Sequence, residues 1–234
     1  MKFSPTLTKV KEIAKTGKYD ILPVSCEILS DFITPIEAMR ILQNVSTHCY
    51  LLESAQANEA WGRYTFLGYD PKLEINCIDG HMKLGKLSVE TENPSEYIRQ
   101  ILSEYKSPKF DYLPSFTGGL VGYFSYDYLG YKEKSIRGKA RDTEDFKDVD
   151  LMLFDKVIAF DNLCQKIILI ANMSLDAPET GYNKAIVELK QLRELLMYGE
   201  KKQNMGGKLL GEVTPLFDKE QYCDCLLYTS PSPR

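Results

Sequence analysis

Two apolar runs, DLMLFDKVIAF from Asp150 to Phe160 and QKIILIAN from Gln165 to Asn172, constrain the fold more than anything else in the chain. Asp161-Asn162-Leu163-Cys164 separates them, and the whole reads as a long antiparallel hairpin. The stretch from Cys49 to Glu90 has the same texture, with short strand-like runs CYLLES, YTFLGY, KLEINCI and HMKLGKLSVE. Asp79-Gly80 falls between the last two as a hairpin signal. A further strand region, FTGGLVGYFSYDY, follows Pro114, and a loop with many charges spans Lys132–Lys147.

Helices are announced by their ends. One is expected from Thr6 to Lys15, stopped at Gly17. Thr34-Pro35-Ile36-Glu37 has the form of a capping box with proline at the first helical position, and Ile36, Met39, Ile41 and Leu42 are its expected buried stripe. Asn93-Pro94-Ser95-Glu96 starts a third helix reaching about Tyr105, and a fourth runs from Tyr182 to Tyr198 before Gly199. Strands and helices mix without regular βαβ alternation. The expected class is therefore α+β, with antiparallel β-sheet layers and flanking helices.

The first domain is expected over residues 1–199, followed by a polar, glycine-containing linker over 200–216. Phe217-Asp218-Lys219-Glu220-Gln221 then signals another helix, but CLLYTSPSPR supplies prolines and hydroxyl residues where it should continue. The expectation is a truncated chain in which no helix follows. Residues 217–224 would open a further domain, and 225–234 would be a non-native tail of the kind produced by translating a sequencing adaptor.

Composition narrows the function classes. With 44% hydrophobic and 26% charged residues the chain is expected to be globular, and a net charge of −4 without a basic run offers no nucleic-acid or anionic-membrane surface. Charges scattered through the first twenty residues leave no secretory signal, and apolar stretches such as Ile167–Ala171 are too short to span a bilayer. A cytoplasmic location is expected, with the six widely spaced cysteines as reduced thiols rather than a zinc site or disulfide framework.

The sequence contains no Walker-type loop, H-E-x-x-H or G-x-S-x-G. Gly118-Gly119-Leu120-Val121-Gly122 lies in a strand context and reads as backbone crowding, while His48 and His81 read as isolated surface or satisfied residues. One constellation stands out. Leu51-Leu52-Glu53-Ser54-Ala55 ends a strand in a carboxylate and a hydroxyl, and Trp61-Gly62-Arg63 brings a cation into the next strand. If the strands are neighbours, Glu53, Ser54 and Arg63 converge; the first two suit an ammonium and the third a carboxylate, as in a free amino acid. A strand-end turn with a surface ion pair is the competing explanation.

LLESA, WGRYTFLGYDP, FTGGLVGYFSYDY, the DLMLFDKVIAFD run and FDKEQYC, in this order, resemble component I, the large subunit, of the anthranilate synthases over residues 1–224. The resemblance implies an enzyme that converts chorismate and ammonia to anthranilate and pyruvate with Mg²⁺, in tryptophan biosynthesis. It implies a glutamine amidotransferase partner, component II, and feedback inhibition by tryptophan. Carried onto this chain, Ser54 would bond the inhibitor, Glu53 would support it, Leu52 would line the pocket and Arg63 would add a polar contact. The metal-binding and catalytic residues of the family have no counterpart here, so no catalytic residue or metal ligand is expected and the chain alone is expected to be inactive. A part of the sister enzyme, aminodeoxychorismate synthase component I, and a non-catalytic amino-acid-binding domain are the alternatives.

Overall fold

The computed structural model describes residues 1–54, 62–133, 135, 146–203 and 206–229. In chain order the elements begin with β1 (Phe3–Ser4), α1 (Leu7–Ala14), β2 (Ile21–Leu29), α2 (Pro35–Val45), β3 (Cys49–Leu52) and β4 (Tyr64–Tyr69). Then come β5 (Leu73–Ile78), β6 (His81–Leu84), β7 (Leu87–Glu90), α3 (Pro94–Ser103), β8 (Gly119–Phe124) and a 3₁₀ turn at Tyr126–Tyr131. Last are β9 (Val149–Phe154), β10 (Lys156–Asp161), β11 (Lys166–Ser174), α4 (Pro178–Tyr198) and α5 (Lys219–Thr229).

Two antiparallel sheets result, a six-stranded one in the order β1-β2-β11-β10-β4-β3 and a five-stranded one in the order β7-β6-β5-β9-β8. This is the α+β class that the interleaved signals imply. The hairpin is β10–β11, in register from Lys156 opposite Ala171 to Asp161 opposite Lys166. Asp79 and Gly80, both at positive φ, join β5 to β6 with Ile78 opposite His81. β4 pairs with β10 in one sheet while β5 pairs with β9 in the other. A single two-stranded ribbon thus bends from one sheet into the next, at Asp70–Lys72 on one strand and Asp155 on the other. Lys156 donates to Asp70 at 2.7 Å across the bend, and its ammonium lies 4.9 Å from the Tyr69 ring centroid.

Alternation along the central strands creates two buried faces of the six-stranded sheet. Leu22, Leu67, Ile158, Phe160, Ile167 and Leu169 pack under α1, α2 and α4. Val157, Ala159, Ile168 and Ile170 face the opposite way, under Phe110, Leu113 and Phe116. Each fully buried Val, Leu, Ile or Phe among them contributes about 1.5–3 kcal/mol of transfer free energy. The five-stranded sheet builds its own core from Ile75, Cys77, Met82, Val149 and Leu151 with Ile98 of α3.

The capping box of α2 is present: Glu37 N–H donates to Thr34 Oγ1 at 3.3 Å and Thr34 N–H to Glu37 Oε2 at 3.2 Å. Its buried stripe is Ala38, Ile41 and Leu42, whereas Ile36 is exposed. Five residues before Ile41, Ile36 lies about 140° around the helix, off the core face. α4 starts at Pro178, four residues before the expected Tyr182, and ends before Gly199 as anticipated. The glycine-rich run is indeed a site of close backbone approach. Gly122 of β8 sits at φ 152, and a Cβ there would strike the Asp150 carbonyl oxygen of β9.

Met1–Lys202 forms one unit, held past Gly199 by Asn44 Nδ2 donating to Glu200 O at 2.6 Å and Lys202 N–H to Arg40 O at 3.0 Å. Gln203–Arg234 is a second unit. There the expectation of no helix is corrected. Gln221 N–H donates to Asp218 Oδ1 at 2.8 Å and Asp218 N–H to Gln221 Oε1 at 3.2 Å, and α5 continues to Thr229. Pro231 and Pro233 fall beyond that end, so neither interrupts the helix; residues 230–234 lie outside the described residues.

Candidate functional site

The neighbouring strands that the site requires are β3 and β4, with Leu52 opposite Phe66, Leu51 opposite Leu67 and Tyr50 opposite Gly68. Alternation puts Tyr50, Leu52, Tyr64 and Phe66 on one face, the face that Phe116 covers. There the aromatic rings form a row. Centroids are 5.8 Å apart for Tyr64–Phe66, 5.5 Å for Phe66–Phe116, 6.4 Å for Tyr50–Phe116 and 4.7 Å for Tyr50–Phe154. Three of the four pairs are edge-on, worth about 0.5–1.5 kcal/mol each beyond burial.

Tyr50 can lie in the row because Gly68 is bare; a Cβ at Gly68 would collide with the Tyr50 ring. Its hydroxyl is buried without a hydrogen-bond partner among the described residues, and burial pushes the phenol well above its ordinary ionisation range. Tyr64, Phe66 and Phe116 are half-buried. Leu52, opposite Phe66 in the ladder, is 46% exposed, and Glu53 and Ser54 follow directly, both exposed. Trp61 lies outside the described residues.

Arg63 immediately precedes β4 and has found a partner that the sequence did not suggest. Its Nε donates to Asp161 Oδ1 at 3.1 Å and its Nη2 to Asp161 Oδ2 at 2.7 Å, a two-point fork with the last residue of β10. The Asp161 side chain is fully buried, while the Arg63 side chain is 37% exposed. The guanidinium also lies 4.8 Å from the Tyr64 ring centroid. Asp161 Oδ1 accepts in addition from Leu163 N–H at 3.2 Å and Cys164 N–H at 3.0 Å, closing the β10–β11 turn. Burial alone would raise the Asp161 pKa, but the Arg63 fork and the Cys164 N–H outweigh it and hold the carboxyl down at about 2. Asn162 completes the attachment: its N–H donates to Arg63 O at 2.9 Å, and its Nδ2 to Gly62 O at 3.4 Å and Thr65 Oγ1 at 3.3 Å.

The structure therefore brings Leu52 opposite Phe66 of the aromatic row, with Glu53 and Ser54 next in the chain, and gives the Arg63 fork to Asp161. The sequence reading missed Tyr50, Tyr64, Phe66, Phe116, Asp161 and Asn162. The aromatics were visible only as strand residues, and Asp161-Asn162 only as a turn. The two histidines sit at the surface beside carboxylates, His48 Nε2 at 3.3 Å from Glu74 Oε1 and His81 Nδ1 at 3.5 Å from Glu90 Oε1. Cys26, Cys49, Cys164 and Cys223 form no disulfide among the described residues. Among the described residues no group of three or more His, Cys, Asp or Glu is placed to hold a metal ion. No described helix is long and apolar enough to cross a membrane.

The fold and this segment define a class: the chain belongs to the chorismate binding enzymes, whose family model matches residues 47–227. Within that class it is similar to anthranilate synthase component 1. The protein of that name from Acetivibrio thermocellus is 31% identical over 239 aligned positions, covering 94% of this chain and 46% of that protein. Its counterpart from Pseudomonas aeruginosa is 36% identical over 186 positions, covering 76% of this chain and 37% of that protein. The crystal structure of anthranilate synthase component I from Streptococcus pneumoniae is 25% identical, with a TM-score of 0.47 over 71% of this chain and 36% of that one. The chain spans less than half the length of these relatives.

Proposed function

We propose that this chain carries the effector-binding part of an anthranilate synthase component I, with tryptophan received beside Leu52, Glu53 and Ser54. The observation that supports this most is the position of Leu52 opposite Phe66 in a row of aromatic rings, with the exposed Glu53 and Ser54 directly after it. An indole is a flat apolar body suited to such a row, and a carboxylate with a hydroxyl next to it suits the ammonium of the same ligand. In the complete enzyme, chorismate and ammonia would become anthranilate, pyruvate and water, as a step of tryptophan biosynthesis. The ammonia would come from glutamine through an amidotransferase subunit, component II, and Mg²⁺ would be held by residues other than those described. Incubated alone with chorismate, ammonia and Mg²⁺, the chain is expected to release no anthranilate.

Titration of the isotopically labelled chain with tryptophan tests the reading. The amides of Leu52, Ser54 and Phe66 are expected to shift with a Kd in the millimolar range, about −4 kcal/mol. Ser54→Ala is expected to weaken binding by about 1–3 kcal/mol through loss of a hydrogen bond to a charged group. If no amide near β3 moves at any soluble tryptophan concentration, the reading is wrong.

A further inference from the structure

We propose that Asp161 and Asn162, at the tip of the β10–β11 hairpin, are positioning residues for the effector wall, and that Arg63 acts through them instead of receiving the effector's carboxylate. The inference rests on the effector reading above and changes the role of its one cation. An arginine binds a carboxylate best through two parallel N–H groups in the guanidinium plane. On Arg63 the Nε–Nη2 edge is taken, with Nε at 3.1 Å and Nη2 at 2.7 Å from the Asp161 oxygens, and Nη2 also donates to Cys164 Sγ at 3.7 Å, which leaves only Nη1 for a second acceptor. The charge is taken as well. A fully buried carboxylate held ionised at this distance leaves the pair close to neutral, so a second carboxylate would gain little attraction there. Releasing Asp161 to free the fork would strand a buried charge, which is strongly disfavoured.

The same hairpin tip grips the chain at three further points, Gly62 O, Arg63 O and Thr65 Oγ1, all through Asn162. Residues 62–65 lead straight into Phe66, which is paired with Leu52. Wherever the tip holds residues 62–65, the β3–β4 ladder then sets Leu52 and, after it, Glu53 and Ser54. The tip is thus a support for the wall, set 98 residues away from Arg63 in sequence.

Arg63→Lys, Asp161→Asn, their combination and the milder Asn162→Ala test this, each in the full chain. Amides of β2 and β11 far from the tip serve as the check that the fold persists, and Asn162→Ala keeps the question answerable if the others do not fold. Without ligand, Asp161→Asn and Asn162→Ala are expected to shift the amides of Leu51–Ser54. With tryptophan, Arg63→Lys and Asp161→Asn are each expected to weaken binding by roughly tenfold, and the double variant by no more than the weaker-binding single, because the clamp breaks only once. Retention of wild-type affinity by Asp161→Asn while Arg63→Lys loses it would overturn the proposal and make Arg63 a direct ligand contact. Unmoved Leu51–Ser54 amides in the ligand-free variants would overturn it as well. Should the unaltered chain not bind tryptophan at all, the effector reading fails, and the ligand-free shifts still decide whether the tip supports the wall.

Discussion

Asp161 concentrates what single residues contribute here. Its carboxylate closes a turn, ends a strand and fixes Arg63, and each task needs the ionised form. Its folded pKa of about 2 lies below the ordinary 3.8, so its stabilisation is complete above the ordinary value and disappears as pH falls from about 4 toward 2. Allowing for solvent around the partly exposed guanidinium, the contribution is about 1–2 kcal/mol. Urea unfolding of the wild type and Asp161→Asn should therefore differ most above pH 5, with the gap closing on acidification; a gap independent of pH would contradict the assignment. None of this was legible beforehand. Asp161 and Arg63 were each singled out, one as turn and one as cation, but no local pattern links residues in different hairpins. Glu53 and Ser54, by contrast, stood out because a strand ending in a carboxylate and a hydroxyl is visible in four consecutive residues.

At the scale of elements, local chemistry carried much of the structure. Thr34 and Glu37 form their box, Asp79-Gly80 makes its turn, and Asp161–Cys164 joins its hairpin, because each signal is complete within a few residues. Ile36 was misassigned since hydrophobicity says nothing of direction when a residue sits at the edge of a stripe. The missing last helix was inferred from prolines that fall two residues or more after Thr229. The glycines of β8 yield a prediction. Gly122→Ala meets both a φ of 152 and the Asp150 carbonyl, so it should destabilise the chain by about 2–4 kcal/mol and loosen β8 from β9. Amide exchange of β9 measures this directly, and protection unchanged from wild type would refute it.

For the whole molecule, the two sheets have separate cores but share the β4–β5 and β9–β10 ribbon. Unfolding one sheet would strand half of that ribbon, so the Met1–Lys202 unit should lose both together. Denaturant transitions followed through amides of β5 and of β11 are expected to coincide, and loss of the five-stranded sheet first would show otherwise. The strand period identified the class, because short alternating runs and capped helices are local features. Sheet order was not readable, since it depends on which distant runs bury which faces. The bend at Asp155 has one more consequence, for how such a chain can vary in length. Across it six residue steps, Leu67 to Leu73, lie opposite five, Ile158 to Leu153, and shortening the five to four would exchange Val157 and Ala159 with Ile158 and Phe160 between the two covered faces. Asp161 would turn with them, toward the helices and away from Arg63. Insertions and deletions are therefore expected to spare this bend, and to gather in the connections that leave the register of both sheets untouched.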